Sequence, residues 1–345
     1  MKIAEKMFQM MSGEGCRQVT FYLDPKINMK AILVVDSLPR GNCSNVSGGT
    51  RFAHKDADFA LNDALKLSKS MTRKSKVLGV KEGGAKAVVI ADQVKDRLLL
   101  ESVGKFIETQ KGFFKTAIDM GFDLEDAKII STKTKFIDSL SHLEKGLGST
   151  GENTAEGMVN GLEVVCSRLL NKKLFDCSFS IQGLGAVGGA LAKKLLKKGC
   201  KVIGADVNTS LCSDFEKLGV EIVQPENIFE QKVDIFSPCA FGGVLNEENI
   251  SNLNCKIVAG GANNILLEER AGEKLLLEKG MVFVPDFVIN AAGFLQALVE
   301  RKGGSVEDAR AESKIVGQRL NEIIDYSEKN KLTLLESSLE LFGEE

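Results

Sequence analysis

Three glycines, Gly183, Gly185 and Gly188, form the pattern G-x-G-x-x-G between the apolar run FSIQG and the segment AVGGALAKKLLKKG. In a strand–turn–helix setting the first glycine permits a tight turn, and the second lets a pyrophosphate approach the backbone. The third lets helix and strand pack closely, and the helix N-terminus supplies free N–H groups. The pattern alone is common, but its setting here predicts a dinucleotide site.

Asp206 closes the next predicted strand, KVIGAD, eighteen residues beyond Gly188. An acidic side chain in this position accepts hydrogen bonds from an adenosine ribose and repels a 2′-phosphate. We therefore expect NAD rather than NADP as the cofactor. A purely structural role, in which the carboxylate caps the following helix, is the alternative.

The first half of the chain carries a second set of chemically useful side chains: Lys74 in SMTRKSK, Lys86 in EGGAKAVV and Asp119 in TAIDMG. Taken singly, a lysine is most often a solvated charge, and an aspartate before Met-Gly is most often part of a turn. Lys86 differs because it follows two glycines and leads into the apolar strand AVVIA. Partial burial there lowers the pKa of an amine and allows its neutral form to act as a general base.

Composition excludes several broad classes of protein. The 345-residue chain is 43% hydrophobic and 27% charged, with a formal net charge of −2. The length suggests about two domains, the composition excludes wholesale disorder, and the charge argues against a general nucleic-acid or membrane-surface partner. No apolar run approaches the roughly 20 residues of a membrane-spanning helix, and MKIAEKMFQMMSGEG lacks the apolar core of a signal peptide. We expect a cytoplasmic location.

Cysteine and histidine usage narrows the possible mechanisms. The eight cysteines include no C-x-x-C pair, so zinc-ribbon and thioredoxin-type sites have no support. Buried reduced thiols are the simpler interpretation. His54 and His142 are the only histidines, and neither has neighbours in a ligand-like pattern. We therefore expect neither a Ser-His-Asp triad nor a metal site.

The elements that position these residues follow from hydrophobic periodicity. The predicted strands of the first half are QVTFYLD, KAILVVD and KAVVIAD, the predicted helices span 56–74 and 95–110, and SGGTRF is a glycine-rich segment. The polar stretch 145–153 predicts a loop or hinge. Beyond a helix over 154–170, the strands FSIQG, KVIGAD, DIFSP, KIVAG and MVFVPD alternate with helices over 187–199, 210–217 and 266–279, and a charged helix follows over 306–329. This alternation favours β-α-β units and a mostly parallel sheet.

Eight motifs run in order along nearly the whole chain: GGTRF (48–52), MTRK (71–74), GGAKAVVIAD (83–92), TAIDMG (116–121), GLGAVG (183–188), PCAFGGVLN (238–246), AGGANN (259–264) and PDFVINAAG (285–293). Together they resemble the Glu/Leu/Phe/Val dehydrogenases, most closely the leucine dehydrogenase branch. The resemblance implies an α/β fold with two domains and a cleft between them. It implies a substrate-binding, catalytic and dimerisation domain over 1–147, a Rossmann-type NAD-binding domain over 148–315, and a helical tail over 316–345 that packs back on the N-terminal domain.

The same resemblance implies roles for individual residues. Lys74 would bind the substrate α-carboxylate, Lys86 would be the general base that activates water, and Asp119 would handle proton transfer at the amine. The residues implied at the cofactor are Gly183, Gly185, Ala186, Val187, Gly188, Asp206, Thr154, Ala240 and Asn263. Those implied at the substrate, besides Lys74, are Ser47, Gly49, Ala117, Asn263, Asn290 and Ala297. The implied reaction is reversible, NAD-dependent oxidative deamination of an L-amino acid to a 2-oxo acid and ammonia, with no metal.

Three small residues bear on the choice of substrate. In glutamate dehydrogenases a lysine precedes the two glycines of the GGxRF-type motif and binds the distal carboxylate, and here that residue is Ser47. Ala297 replaces a family Ser or Thr, and Ala117 adds apolar surface. Because these residues offer no partner for a charge, a buried carboxylate would cost several kcal/mol. We expect an apolar substrate, branched-chain first, with an aromatic (Phe or Trp) amino acid dehydrogenase of a specialised biosynthetic pathway as the alternative.

The sequence departs from the family pattern at three places. Lys81 replaces an Asn before GGAK and is expected to place an extra charge close to Lys86, Gly151-Glu152 replaces Ser-Pro, and Ala292 replaces the second Gly of NAGG. Lys81 and Ala292 motivate a third hypothesis, a non-catalytic NAD-binding regulator. The presence of all three residues with implied catalytic or carboxylate-binding roles counts against it.

The expected partners are small molecules and further copies of the chain. The resemblance implies an amino acid or 2-oxo acid substrate and a homo-oligomer, as a dimer or octamer, built through the N-terminal domain. Neither nucleic acid nor a membrane is expected as a partner.

Overall fold

The protein folds as two compact units. The structure, a computed structural model, describes residues 3–53, 56–91, 94–138, 140 and 146–343, so His54 and His142 lie outside the described residues. The first unit comprises Met1–Ser149 with Glu300–Gly304, and the second comprises Thr150–Val299 with Ser305–Glu345. Among the described residues no helix is both long and apolar enough to cross a membrane.

A six-stranded mixed sheet organises the first unit, in the order β1-β2-β4-β3-β5-β6. Its strands are β1 (Gln18–Asp24), β2 (Met29–Val35), β3 (Val46–Ala53), β4 (Gly83–Ile90), β5 (Phe114–Ile118) and β6 (Ile137–Asp138). β1 and β2 pair antiparallel with their neighbours, whereas β4, β3, β5 and β6 run parallel to one another. The parallel strands therefore end at one edge of the sheet, where side chains from different strands can meet.

Helices cover both faces of the first sheet. They are α1 (Ile3–Glu14), α2 (Ala57–Val77), α3 (Arg97–Thr109) and α4 (Leu124–Ser131). The strand residues buried on the face that packs against α2 are Ile32, Val34, Val88 and Ile90. The alternate residues of β2 and β4 pack against α3 and α4 on the other face. Because successive residues of a strand point to opposite faces, Lys86 of β4 lies on the α2 face.

A six-stranded parallel sheet organises the second unit, in the order β12-β11-β10-β7-β8-β9. Its strands are β7 (Ser178–Gln182), β8 (Lys201–Ala205), β9 (Glu221–Ile222), β10 (Ile235–Pro238), β11 (Ile257–Val258) and β12 (Val282–Phe283). Strand order grows outward from β7 in both directions, which is the doubly wound order of a Rossmann-like domain. The predicted α/β class and parallel sheet are confirmed.

Ten helices complete the described part of the chain beyond residue 150. They are α5 (Gly151–Leu170), α6 (Ala186–Lys197), α7 (Thr209–Lys217), α8 (Glu247–Asn252), α9 (Glu269–Glu278), α10 (Asp286–Ile289), α11 (Ala292–Arg301), α12 (Val306–Glu312), α13 (Ile315–Asn330) and α14 (Leu334–Phe342). The last two residues of α11, Glu300 and Arg301, belong to the first unit.

Three elements differ from the expectation. The glycine-rich segment is part of strand β3, which is hydrogen-bonded on both sides although glycine weakens a strand on its own. Helix α5 begins at Gly151, not at residue 154, and a Cβ on Gly151 would lie 2.6 Å from the Ala186 oxygen, so close packing explains the glycine. The single helix expected over 306–329 is two helices, separated at the buried Ser313.

Candidate active site

One face of the first sheet carries most of the residues implied at the substrate. The register pairs Gly49 of β3 with Ala117 of β5 and sets Gly49 beside Lys86 of β4. Ser47 and Asp119 lie two residues away along their chains and share this face, because side chains alternate between faces. The structure therefore brings together five predicted residues that come from three separate segments.

Lys86 and Asp119 form a buried ion pair on this face. The Nζ of Lys86 donates a hydrogen bond to Oδ2 of Asp119. The Nε of Arg51 donates to the same oxygen at 3.1 Å, and Nη1 of Arg51 lies 3.0 Å from Oδ2 of Asp63. Lys86 is only 4% exposed. The carboxylate of Asp119 thus pairs with both Lys86 and Arg51, and the carboxylate of Asp63 pairs with Arg51 on its other side.

Burial and charge move the pKa values of the central pair. Burial lowers the pKa of Lys86; Asp119 opposes this shift, and the positive charge of Arg51 adds to it. Burial by itself raises the pKa of Asp119, but Lys86 and Arg51 outweigh burial and hold that pKa far below its usual range. The site therefore combines an ionised carboxylate with an amine that loses its proton more readily than an exposed lysine, as a general base requires.

Gly49 is half-buried, and the side chain of the adjacent Asp119 is 26% exposed. A Cβ on Gly49 would lie 2.8 Å from Nζ of Lys86 and 3.0 Å from Cβ of Asp119. Any other side chain at this position would therefore crowd both groups. The absence of a side chain at Gly49 lets another group approach the amine and the carboxylate together.

Lys74 lies in the last turn of α2, and its side chain is buried. Two residues earlier, the backbone nitrogen of Thr72 would be 2.2 Å from a Cβ on Gly84, which lies two residues before Lys86 in β4. This part of α2 therefore passes closely over the strand that carries the amine. The carboxylate-binding role of Lys74 stays a prediction.

Ser47 has a charged neighbour that the sequence analysis missed. Nη1 of Arg301 donates to Oγ of Ser47 at 2.8 Å, while Nε and Nη2 of Arg301 lie 2.9 and 2.5 Å from Oδ2 of Asp138. Asp138 is paired with Ala117 in the β5–β6 register. The expectation that no charged group lies beside Ser47 is therefore wrong. Arg301 and Asp138 are 163 residues apart in sequence, so no local pattern could have joined them.

The glycine pattern of the second unit forms the turn between β7 and α6. Gly183 has a φ of +89°, which favours glycine, and a Cβ on Gly188 would lie 1.9 Å from the Gly183 oxygen. Gly185 is exposed, and an added Cβ there would meet no atom within 4 Å. Gly185 also precedes α6 without a capping side-chain hydrogen bond, next to the exposed Ala186 and half-buried Val187. An open, uncapped helix N-terminus of this kind fits the pyrophosphate of a dinucleotide.

Asp206 binds the glycine turn from the end of β8. Its Oδ2 accepts a hydrogen bond from the backbone N–H of Leu184 at 2.7 Å, and its Oδ1 accepts one from Asn208 at 2.8 Å. Asp206 does not cap the following helix, because the side chain of Asn208 caps α7; it holds the glycine turn through Leu184 instead. A half-buried carboxylate has acceptor capacity left for a ribose hydroxyl. On the other side of the turn, Ala240 would lie 2.9 Å from a Cβ on Gly183.

The remaining predicted residues also lie in the second unit. Nδ2 of Asn290 donates to Oδ1 of Asn263 at 3.1 Å, so the two asparagines are in direct contact. The Thr154 hydroxyl donates to the backbone oxygen of Thr150, the residue before α5, at 2.9 Å. Ala297 is buried on α11. Their contacts with a cofactor or substrate stay predictions.

The structure accounts for two departures from the family pattern. Lys81 is exposed, and its Nζ donates to Oδ1 of Asn42 at 3.3 Å. The largest charge effects on the pKa of Lys86 come from other residues. The extra methyl of Ala292 fits because its neighbour is Gly157, where an added Cβ would lie 2.4 Å from that methyl.

Both units of the chain match models of one protein family. Residues 38–136 match the family model "Glu/Leu/Phe/Val dehydrogenase, dimerisation domain", and residues 205–337 match "Glutamate/Leucine/Phenylalanine/Valine dehydrogenase". The chain is 33% identical to phenylalanine dehydrogenase of Lysinibacillus sphaericus, over 97% of this chain and 89% of that protein. It is 34% identical to leucine dehydrogenase of Thermoactinomyces intermedius, over 90% of this chain and 85% of that protein.

A solved structure agrees with these relatives over both units. L-tryptophan dehydrogenase from Nostoc punctiforme superposes with a TM-score of 0.76 and 30% identity, over 97% of this chain and 96% of that chain. The resemblance inferred from the eight motifs is confirmed. The chain belongs to the Glu/Leu/Phe/Val dehydrogenase family, a family of amino acid dehydrogenases that use NAD(H).

Proposed function

We propose that this protein catalyses the reversible, NAD-dependent oxidative deamination of an apolar L-amino acid to the 2-oxo acid and ammonia. The observation that supports this most is the pairing of the buried Lys86 with the ionised, partly exposed Asp119, where Gly49 has no side chain to cover them. A buried amine paired with a partly exposed carboxylate can exchange protons with the amine of a bound substrate.

Each charged residue of this group has a proposed task. Lys86, in its neutral form, takes a proton from the water that attacks the substrate carbon, and Asp119 stabilises positive charge on the substrate nitrogen. Lys74 binds the α-carboxylate. Arg51 is a positioning residue, because its guanidinium binds Asp119 on one side and Asp63 on the other.

The second unit holds the cofactor in this proposal. The turn of Gly183, Gly185 and Gly188, with Ala186 and Val187, receives the pyrophosphate, and Asp206 accepts hydrogen bonds from the ribose. Thr154, Ala240 and Asn263 are further proposed contacts, and Asn290 orients Asn263. Bound NAD+ supplies the hydride acceptor.

Branched-chain amino acids are the first candidate substrates. Gly49 and Ala117 present little but apolar surface, and Asp138 already pairs with the guanidinium beside Ser47. Ala297 is a further proposed substrate contact. Aromatic amino acids are the second candidates, because a phenylalanine dehydrogenase is as similar to this chain as a leucine dehydrogenase, and a tryptophan dehydrogenase shares its fold.

We further propose a cytoplasmic homo-oligomer assembled through the first unit. Residues 38–136 match the dimerisation domain of the family, and the edge strand β1 exposes the apolar side chains of Phe21 and Leu23. All eight cysteines of the sequence are described, and all are free thiols. Free thiols are typical of a reducing compartment.

The test is NADH formation by the purified protein with leucine, valine, phenylalanine, tryptophan and glutamate under one condition. We expect a neutral apolar substrate to have the highest kcat/KM, because burying each methylene contributes about 0.8 kcal/mol. If kcat/KM is highest for phenylalanine or tryptophan, the protein is an aromatic amino acid dehydrogenase. Preference for glutamate would contradict the apolar assignment, and rates no higher than those of Lys86→Ala for every substrate would contradict the enzyme assignment.

A further inference from the structure

Four residues form a row across the face that carries the ion pair of Lys86 and Asp119. Lys86 on β4 lies beside Gly49 on β3, Gly49 is paired with Ala117 on β5, and Ala117 is paired with Asp138 on β6. At about 4.8 Å between neighbouring strands, the row is roughly 14 Å long. Gly49 and Ala117, in its middle, have at most a methyl group.

Arg301 closes the far end of this row. Its guanidinium binds Asp138 through Nε at 2.9 Å and Nη2 at 2.5 Å, and Nη1 reaches back to Oγ of Ser47 at 2.8 Å. The Arg301 side chain is 14% exposed and Asp138 is 9% exposed. A two-pronged contact of this kind fixes the plane of a guanidinium, so the group forms a rigid end to the row.

We propose that the Arg301–Asp138 pair is the specificity-determining end wall for the substrate side chain. This inference rests on the proposed function, in which the reacting carbon lies near Lys86 and Asp119. A side chain that extends from that carbon along Gly49 and Ala117 then ends at Arg301. While Asp138 compensates the guanidinium, this wall accepts uncharged side chains; without Asp138, it would bind a side-chain carboxylate.

The charges around the wall agree with this assignment. Burial raises the pKa of Asp138, whereas Arg301 and, more weakly, Lys115 act in the opposite direction. Lys115 is half-buried and lies on the same face, paired with Ser47 in the β3–β5 register. Removing the carboxylate of Asp138 would therefore take away the anion paired with Arg301 and leave two cations at the end of the row; the nearby Glu300 carboxylate already accepts hydrogen bonds from backbone N–H groups.

The test compares kcat/KM for glutamate with that for the best neutral substrate of the wild type. In Asp138→Asn we expect the ratio to rise about tenfold or more, mainly through a lower KM for glutamate. The reason is that Arg301 can then donate a charge-assisted hydrogen bond to the side-chain carboxylate of glutamate. Adding Arg301→Ala should cancel the rise. The matched control is Asp126→Asn. Asp126 is another buried carboxylate of the first unit, 7% exposed, and it pairs with Lys95, so the variant should leave the ratio unchanged.

An unchanged ratio in folded Asp138→Asn, or a rise that persists after Arg301→Ala, would overturn the inference. If Asp138→Asn does not fold by itself, the double variant Asp138→Asn/Arg301→Ala, which removes both charges, still tests the end wall through the dependence of activity on side-chain length. Shortening Arg301 should lengthen the apolar row and improve longer unbranched side chains, by about fourfold for each methylene that becomes buried. An unchanged dependence on chain length would contradict the end wall. A wild type inactive with every amino acid would instead overturn the proposed function, and this inference with it.

Discussion

At the scale of single residues, the chemistry of Lys86 depends on two opposing effects. Burial lowers the pKa of the amine, and the adjacent carboxylate of Asp119 resists the change. Arg51 lowers the pKa of Lys86 further, because it binds the same oxygen of Asp119 and adds its own positive charge. The amine can therefore be held in place by a carboxylate and still give up its proton below the usual lysine pKa of about 10.4.

We expect Lys86→Ala to lower kcat by about 10²–10⁴-fold, the usual effect of a lost general base, with NAD+ affinity near that of the wild type. Lys86→Arg keeps the positive charge but cannot lose its proton, so it should not restore turnover. In the wild type, kcat/KM should rise with pH, because deprotonation creates the base, and reach its plateau below pH 10.4. Turnover in either variant within a few-fold of the wild type would remove Lys86 from the mechanism.

At the scale of elements, close packing of α5 depends on where its glycines lie. A Cβ on Gly157 would be 2.4 Å from the methyl of Ala292 and 3.1 Å from Cγ2 of Val316. The glycine therefore lets α5 approach the start of α11. Alanine replaces the family glycine at position 292 without harm because the partner helix provides the space.

Gly157→Ala should destabilise the protein by about 1–3 kcal/mol through overpacking, although alanine alone would favour the helix. The double variant Gly157→Ala/Ala292→Gly should recover most of this loss, since it moves the methyl from one helix to the other. Thermal unfolding measures both. Gly13→Ala in α1, where an added Cβ meets no atom within 4 Å, is the control and should not lower Tm. No recovery in the double variant would show that the 157–292 contact does not limit packing.

At the scale of the whole molecule, each unit contains a carboxylate whose pKa is lowered by cations. The first unit has Asp119 and the second has Asp234, which precedes β10. Burial by itself raises the pKa of Asp234, but hydrogen bonds from Lys172, Ser178 and Lys256 outweigh burial and lower that pKa to about 2. Such groups bind a proton less readily in the folded than in the unfolded state, so they stabilise the fold above the unfolded pKa and lose this effect in acid.

The free energy of unfolding should therefore fall as the pH drops from about 4 to 2. Asp234→Asn removes the charge, so at pH 7 it should be less stable than the wild type by about 2 kcal/mol. This difference should shrink as the wild-type carboxyl is protonated. Denaturant unfolding at several pH values measures the difference in free energy of unfolding between the wild type and Asp234→Asn. The variant Asp214→Asn, at an exposed carboxylate, is the control. A difference that is constant down to pH 2 would show that the ion pairs of Asp234 do not control acid stability.

The sequence by itself determined the features that depend on local pattern. The strand–turn–helix setting of Gly183 to Gly188, the position of Asp206 at the end of the next strand and the β-α alternation all follow from short-range periodicity and turn geometry. The eight ordered motifs determined the family, because each one is a contiguous stretch of sequence. The structure confirmed these features, although α5 begins earlier than predicted and the helix expected over 306–329 is divided into α12 and α13.

Only the tertiary structure decided which distant side chains share an environment. It made the glycine-rich segment a central strand, placed Arg51 between Asp119 and Asp63, and set Arg301 against Asp138 and Ser47. The physical reason is that these contacts depend on strand register and helix packing, since a shift of one residue turns a side chain to the opposite face. Burial, which shifts the pKa of Lys86, likewise arises only when distant segments pack around it.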